Sequence, residues 1–184
     1  MVQTTIRSRQ PKWAAEGQTA TANWQRVAGA MQNFYNGNAG VLPFGRIAAY
    51  DPDTNKITTL TAAPASGDFV TLPIFVERHG LSYDSLISST AANPPELGYP
   101  ESDMELVETA TLGDFVMWSE TAVRYGDPVF VRQQTVGANP AGRVRAGAAA
   151  NFFELPDLEF SETISAPGFV AVAVSTRTGV MRIA

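Results

Sequence analysis

The sequence predicts a mainly β protein: a compact β-barrel or sandwich-like domain with an extended N-terminal arm. Gly-Asp pairs, which turn the backbone sharply, occur at 67–68, 113–114 and 126–127, and an apolar run follows each of them. In the runs 126–132 and 168–174, valine recurs at the alternate positions of a half-buried strand, and the segment 154–160 is interpreted with them as a strand of the barrel or sandwich. Fifteen glycines and twelve prolines are spread along the chain, as a fold with many turns requires.

The composition indicates one domain made in a reducing compartment. A chain of 184 residues with 45% hydrophobic content can bury one sizeable core. The absence of cysteine excludes disulfides, thiolate nucleophiles and cysteine metal sites, and it suits synthesis in a reducing cytosol. Residues 1–7 lack an apolar signal core, and no window approaches the roughly 18 apolar residues of a membrane span. Secretion and membrane insertion are therefore disfavoured.

The N-terminal segment is basic on an otherwise acidic chain. Residues 1–30 carry four basic side chains against the single acid Glu16, so this segment is +3. The whole chain is −5, which leaves −8 for the remainder. A basic arm on an acidic body is suited to docking on a negatively charged surface, although a solvated terminus has the same charge pattern.

Residues 1–22 show neither helical nor strand periodicity, which predicts an extended arm. Trp13 lies within this segment and Trp24 lies just after it, and such large apolar side chains favour an arm that lies against a partner or folds back on its own subunit. The candidate partner-binding residues are Arg7, Arg9, Lys12, Trp13 and Trp24.

One short helix is an option after the arm. An apolar stripe at helical spacing runs from Trp24 to Tyr35, with Asn23 able to cap its start and Gly37 its end. Gly29 weakens this interpretation, and an irregular extended segment is the alternative. We therefore divide the chain into an N-terminal segment over 1–36, which comprises the arm and the optional short helix, and a barrel-like body over 37–184 with an inserted excursion at 79–101.

The sequence of the first half of the body predicts a hairpin, a strand interrupted by a proline, and a long segment that leaves the barrel. Strands at 45–50 and 57–61 flank a turn-rich connection. The apolar run 69–77 contains Pro73, which favours an edge strand or a bulge. Residues 79–101 are rich in Pro, Ser and Asn and predict an excursion out of the barrel.

The second half predicts a succession of strands. The segment 137–150 is rich in glycine and alanine and suits a loop with a weak strand. The predicted strands lie at 104–110, 115–124, 129–134, 151–155 and 169–176, with a closing strand at 180–183.

Catalytic chemistry is hard to place in this sequence. His79 is the single histidine, so no histidine cluster can bind a transition metal within one chain. Ser82, Asp84 and Ser85 lie near it, but no nucleophile elbow accompanies them. The acids at 101–108 are explained by the solvent face of a strand. We predict no catalytic residue and no enzyme activity.

Metal and nucleic-acid sites are also disfavoured. Asp51-x-Asp53-x-Asn55 copies the opening of a calcium loop, but Lys56 and Ala62 occupy the positions where a glycine and a bidentate glutamate are needed. A polar hairpin turn explains this spacing. The stretch 142–145 lacks the basic density and flanking aromatics of a nucleic-acid surface. We predict no cofactor, no metal and no nucleic-acid partner.

Several segments, taken in order, resemble the structural cement, or head decoration, proteins of tailed bacteriophages. They are Pro43-Phe44-Gly45, the strand 126–132, the acidic segment 154–160 and the final valine-rich strand. The similarity covers roughly residues 24–176. It implies a compact β-barrel-like domain on the capsid surface of the virion, bridging major capsid proteins, without catalytic residues. The excursion at 79–101 departs from the shorter versions of this pattern.

We therefore expect a capsid cement protein whose partners are the major capsid protein and further copies of itself, most simply as a trimer. Another phage structural component, from the tail or the head-completion machinery, is the alternative of the same class. A small β-barrel binding module or hydrolase is the alternative of another class. Exposed aromatics beside a pocket would favour the module, and a buried nucleophile beside His79 would favour the enzyme.

Overall fold

The structure, a computed structural model, describes residues 16–17, 26–28, 34–74, 98–99, 106–176 and 178–184. Within these residues the chain forms thirteen strands and no helix. The strands are β1 Arg26–Ala28, β2 Tyr35–Asn36, β3 Leu42–Pro43, β4 Ala48–Asp51, β5 Lys56–Thr59, β6 Phe69–Thr71, β7 Gly98–Tyr99, β8 Thr109–Ser119, β9 Pro128–Arg132, β10 Val144–Ala146, β11 Phe152–Phe160, β12 Gly168–Ser175 and β13 Val180–Arg182. The mainly β fold class is confirmed.

Five strands close into a barrel in the order β8-β10-β9-β11-β12, because β12 pairs back onto β8. The closing pair is antiparallel and long, from Leu112 opposite Ser175 to Ser119 opposite Gly168. The β8–β10 pair is parallel, and the other pairs around the barrel are antiparallel. Closure leaves these strands without the unpaired edges of an open sheet.

The barrel interior is filled by the side chains at alternate strand positions. On β12 the buried residues are Val170, Val172 and Val174, and on β8 they include Phe115 and Met117. These side chains belong to one hydrophobic cluster that also takes Val70, Leu72 and Met181 from the neighbouring sheet. The predicted alternation of valines therefore corresponds to the inward face of the barrel.

A second sheet has the order β13-β6-β4-β5-β2 and is joined to the start of β8. The Ala110 amide donates to the Leu72 carbonyl at 2.9 Å, and the Val107 amide donates to the Phe34 carbonyl at 2.9 Å. A smaller hydrophobic cluster lies on this side of the molecule. It comprises Phe34, Leu42, Phe44, Ala48, Ile57, Tyr99 and Val107.

Several predicted elements are confirmed in position. The hairpin forms as β4 and β5, with Asn55 in the left-handed conformation at φ 57° in the turn between them. Gly67 and Gly126 also have positive φ, and each precedes a strand. Pro128 is the first residue of β9, where its missing N–H is tolerated. The weak strand and the closing strand correspond to β10 and β13.

Two strand predictions were wrong in extent. The pair 113–114 lies in the middle of β8 instead of at a strand start, because residues on both sides of Gly113 continue the ladder with β12. The strand predicted at 151–155 does not end there: it is continuous with the strand predicted at 154–160, and the two form β11, which runs through Pro156. The β9–β11 register shifts between Glu154 and Glu159, so Pro156 lies where that ladder is interrupted and needs no N–H for it.

The prediction of an edge strand or bulge around Pro73 was also wrong. β6 ends at Thr71, and it lies between β13 and β4 in its sheet. Pro73 follows the strand and makes an isolated bridge to Thr109. On either side of Pro73 the Leu72 carbonyl accepts from the Ala110 amide and the Ile74 amide donates to the Glu108 carbonyl, so the chain continues from β6 into pairing with the start of β8 and needs no N–H from the proline.

The optional helix is not formed at the described residues between Trp24 and Gly37. Arg26–Ala28 and Tyr35–Asn36 are strands β1 and β2. β1 pairs with β8, from Arg26 opposite Leu112 to Ala28 opposite Thr109. Backbone hydrogen bonds to β8 outweigh a weak helical preference that Gly29 reduces further. The extended alternative is the correct one there.

Most of the predicted excursion lies outside the described residues. Its described part, Gly98–Tyr99, is strand β7 and pairs with β3. The Tyr99 hydroxyl donates to the Ile74 carbonyl at 2.9 Å and accepts from the Glu108 amide at 2.9 Å. The chain therefore returns to the body at Tyr99, which is 2% exposed.

Candidate interaction site at the base of the arm

The predicted partner-binding residues lie outside the described part of the chain and stay predictions. They are Arg7, Arg9, Lys12, Trp13 and Trp24. Two residues of the same segment, Glu16 and Gly17, are described and form a turn against the body. We call these two residues the arm base, since the basic residues of the arm precede them.

The arm base is attached to β8 by a backbone hydrogen bond. The Gly17 amide donates to the Val116 carbonyl at 2.7 Å. This point on β8 lies between Leu112, which pairs with β1, and Ser119, which pairs with β10. Gly17 has φ 80°, a left-handed conformation that favours glycine. The arm base thus satisfies a backbone carbonyl in the gap between two strands that pair with β8.

A carboxylate lies between two arginines at the arm base. Arg46 Nε lies 3.3 Å from Glu16 Oε2, and Arg143 Nε lies 3.5 Å from Glu16 Oε1. The three side chains are between 11% and 20% exposed. Arg46 precedes β4 and Arg143 precedes β10, so Glu16 connects the arm to both the second sheet and the barrel.

Opposing effects act on the ionisation of this carboxyl. Burial raises the pKa of Glu16, and the positive charges of Arg46 and Arg143 lower it by less, so the pKa is above its ordinary value. Oε1 accepts no hydrogen bond from the residues that the structure describes. Arg46 Nε donates a hydrogen bond to Oε2, and Arg143 contributes an ion pair at Oε1.

An aromatic pair continues from the arm base across the outside of the barrel. The Arg143 guanidinium carbon lies 5.2 Å from the centre of the Trp118 ring. Trp118 is paired with Phe169 on β12, and the two rings meet edge to face at 4.9 Å. Both rings are half-buried and occupy the alternate positions that face away from the core.

A second arginine cluster lies on the neighbouring strands of the barrel. Arg132 donates two hydrogen bonds to the Glu120 carboxylate, with Nε 2.6 Å from Oε1. This pairing raises the pKa of Arg132. Arg132 and Arg145 also lie over the Phe152 ring, at 4.6 Å and 5.2 Å from its centre. These contacts stabilise the barrel wall and leave an outer surface of mixed charge.

Sequence reasoning missed the residues that build the arm base. It treated Glu16 as the one acid of a basic arm and Arg143 as part of a sparse basic stretch. Their partners are distant in the sequence, so no local spacing reveals the contact. A lone acid followed by glycine within a basic segment is the signal that could have found it.

The segment that copies the opening of a calcium loop forms hydrogen bonds within the β4–β5 turn. Asp51 Oδ1 accepts from the Asp53 amide at 3.0 Å, and Oδ2 accepts from the Thr54 hydroxyl at 2.7 Å. These hydrogen bonds, that from Thr54 first, lower the pKa of Asp51. Within the described residues no group of three or more His, Cys, Asp or Glu side chains could hold a metal ion. The geometry agrees with a polar hairpin turn.

A cavity of about 500 Å³ lies beside this hairpin. Its lining includes Asp51 and Asp68, whose carboxylates are both engaged by turns, since Asp68 Oδ2 accepts from the Ala65 amide at 2.7 Å. His79 lies outside the described residues. Across the described ranges, no helix is both long and apolar enough to cross a membrane.

Comparison with known proteins identifies the class of this chain. Residues 2–176 match the model of the family described as structural cement protein (E217 gp24/Pam3 gp6). The chain also resembles a solved chain from the capsid of Myoviridae phage XM1, with a TM-score of 0.58 and 15% identity. That alignment covers 94% of this chain and 98% of the other. No curated protein matches it significantly.

Proposed function

Because this chain belongs to the structural cement protein family of phages, it has a cement role in a phage capsid, and we propose that it binds the outside of the head and bridges major capsid proteins. The family match carries this proposal, because it extends over residues 2–176 and so includes the basic arm as well as the barrel. The protein acts by non-covalent contact, without catalysis, and it reaches the virion after synthesis in the host cytoplasm.

The arm is the part of the protein that we propose contacts the shell. Arg7, Arg9 and Lys12 precede a base that two arginines and the Val116 carbonyl hold on the barrel. A fixed base reduces the entropy that the arm loses when it binds, because one end is already positioned. Its basic charge attracts an acidic capsid surface, and the two tryptophans supply apolar area.

The protein is also proposed to act as a homo-oligomer, most simply a trimer. Shell subunits meet at threefold and local threefold positions, and a cyclic trimer would engage three arms there at once. Modest affinity for each arm then becomes high avidity. Each copy would bury on the order of 1,000 Å² against its neighbours. Neither nucleic acid nor membrane is proposed as a partner.

Binding to undecorated phage heads tests the arm contact. We would replace residues 1–15 by a single methionine, which keeps Glu16 and Gly17, and measure retention on sedimented heads. The expected result is a folded protein that no longer decorates heads. A matched control, Arg124→Gln with Arg182→Gln, removes two exposed arginines of the body and should bind normally. Unchanged binding of the truncated protein would show that the arm is a solvated terminus.

Electron cryomicroscopy of decorated and bare heads tests the location and the oligomer. Density from this protein should lie on the outer surface, in contact with more than one major capsid protein, around a threefold or local threefold axis. Sedimentation of the free protein gives its mass in solution. Single copies without a rotation axis would reject the trimer and leave the cement role unaffected. Density on the tail or inside the shell would contradict the proposed location.

A further inference from the structure

The side chain of Asn36, at the end of strand β2, is buried and fully hydrogen-bonded. Asn36 is 4% exposed, and its carboxamide nitrogen donates to the Gly40 carbonyl at 2.7 Å and to the Tyr99 carbonyl at 3.0 Å. Its Oδ1 accepts from the Asn38 amide at 2.8 Å. Both N–H donors of the carboxamide are therefore used, which explains an asparagine at this position.

Glycine follows Asn36 because the backbone passes close to strand β5. A Cβ atom on Gly37 would lie 2.8 Å from Thr58 Cγ2 and 3.0 Å from Lys56 Cβ, so a larger residue would overlap with its neighbours. The Gly37 amide donates to the Ile57 carbonyl at 2.8 Å and continues the parallel pairing of β2 with β5. Two separate demands of the fold thus produce an Asn-Gly pair, and in the whole sequence no other asparagine precedes a glycine.

An Asn-Gly pair is prone to deamidation, because glycine has no side chain to shield the backbone nitrogen that attacks the asparagine. The Gly37 nitrogen loses its proton and bonds to Asn36 Cγ. The Cγ–Nδ2 bond then breaks, and Nδ2 takes up a proton and leaves as ammonia. The resulting succinimide ring takes up one water molecule and opens to aspartate or isoaspartate. Water is the sole co-reactant.

In the folded protein both reacting groups are held in other contacts. The Gly37 N–H is bonded to the Ile57 carbonyl, and three hydrogen bonds fix the Asn36 carboxamide. The nitrogen must leave Ile57 and the carboxamide must rotate before the ring can close. Both changes require β2 to separate from β5, which is a local opening of the fold.

We propose that Asn36 is a deamidation site controlled by the pairing of β2 with β5, and that its conversion prevents β2 from pairing again. A carboxylate at this position donates no hydrogen bond, so the Gly40 and Tyr99 carbonyls would lose their donor and face a buried negative charge. Isoaspartate also adds a methylene to the backbone, which disturbs the register with β5. The reaction takes place within one chain and does not depend on the capsid contact.

Mass spectrometry of the digested protein measures the conversion. The protein is incubated at mildly alkaline pH, once folded and once in guanidinium chloride, and deamidation is assigned by fragmentation of each peptide. Asn55, which is exposed and precedes a lysine, is the internal reference. In denaturant Asn36 should convert faster than Asn55, and folding should slow the conversion of Asn36 by at least about tenfold. Equal rates at Asn36 with and without denaturant, or no excess over Asn55 in denaturant, would overturn the proposal.

Two matched substitutions separate the opening of β2 from unfolding of the whole domain. Phe34 directly precedes β2 and is 2% exposed, whereas Phe160 on β11 is fully buried in the barrel cluster. In folded protein, Phe34→Leu should speed deamidation of Asn36 by at least about threefold, and Phe160→Leu should stay within about twofold of the native rate. No acceleration in Phe34→Leu, or equal acceleration in both, would refute control by β2. Melting temperatures verify folding, and Phe34→Met with Phe160→Met replaces a pair that is not folded.

Asn36→Asp reproduces the aspartate product and tests the release of β2. In amide hydrogen exchange measured by NMR, protection of Gly37 should fall by at least about tenfold. Val123, a member of the barrel cluster whose amide donates to the Ile164 carbonyl at 3.0 Å, should keep its protection. The control Asn139→Asp adds the same charge to an exposed loop and should change neither amide. Retained protection of Gly37 in Asn36→Asp, or joint loss at Gly37 and Val123, would contradict a release of β2 alone.

Discussion

Gly17 and Gly45 meet backbone to backbone, so closely that a Cβ atom on Gly45 would lie 2.0 Å from the Gly17 nitrogen. The arm base therefore depends on a glycine in the body as well as on its own. Gly45 also has φ 68°, in the left-handed region.

Substituting Gly45→Ala is expected to displace the arm base. The left-handed conformation alone costs alanine about 1–2 kcal/mol, and the overlap with Gly17 should add at least about 1 kcal/mol. Gly126→Ala is the matched control, because Gly126 has φ 78° and nothing within 4 Å of an added Cβ. Chemical denaturation measures both variants. Equal losses of stability would contradict a close contact at Gly45.

The barrel core should be far more sensitive than the barrel wall on the same strand. Phe115 is fully buried, and Phe115→Ala is expected to lower the free energy of unfolding by about 3–5 kcal/mol. Leu112 on β8 is 47% exposed, and Leu112→Ala should change it by about 0.5 kcal/mol. Urea denaturation of both variants tests this contrast. Similar losses would mean that Leu112 is covered in solution by another surface.

Glu120 and Arg132 should show a favourable coupling energy. Their two parallel hydrogen bonds, both side chains being nearly buried, are expected to give about 1–3 kcal/mol in a double-mutant cycle of Glu120→Gln and Arg132→Met. Arg132→Lys keeps the charge but lacks the planar fork, so it should recover only part of this coupling. A coupling energy near zero would contradict this expectation and show that the pair contributes no more to stability than an ordinary surface ion pair.

The β4–β5 turn should weaken in acid. The Thr54 hydroxyl and the Asp53 amide lower the pKa of Asp51, so its contribution to stability is present above the ordinary pKa of an aspartate and is lost as the pH falls through the lowered pKa. NMR titration of the Asp51 carboxyl measures this. Thr54→Val removes the larger cause and should move the pKa of Asp51 towards its ordinary value. No change in that variant would show that the hydroxyl is not the cause.

The elements that the sequence predicted are those fixed by local chemistry. Asn55 in the hairpin and the glycine of the 126–127 turn need a left-handed residue at one position, and short sequence windows show this. The continuous run of β8 through Gly113 and of β11 through Pro156 depends on partner strands distant in the sequence. A window of a few residues contains no information about those partners.

The candidate site was predictable only in part. The basic arm and its tryptophans follow from composition, and their contacts stay predictions. The pairing of Glu16 with Arg46 and Arg143 could not be predicted, because it arises when the chain closes the barrel. β1 in place of the optional helix has the same origin, since β8 offers Arg26–Ala28 a ladder that no local preference reveals.

Closure by distant segments also affects how the protein is made. β13, at the end of the chain, pairs with β6, and β1 pairs with β8. Glu16 cannot meet Arg143 until the ribosome has synthesised most of the chain. Pairings between remote segments lose chain entropy before they gain contacts, so refolding should be slower than that of a helical bundle of similar length. The contact between Glu16 and Arg143 can therefore form only after residue 143 has been synthesised, and the pairing of β13 with β6 forms later still.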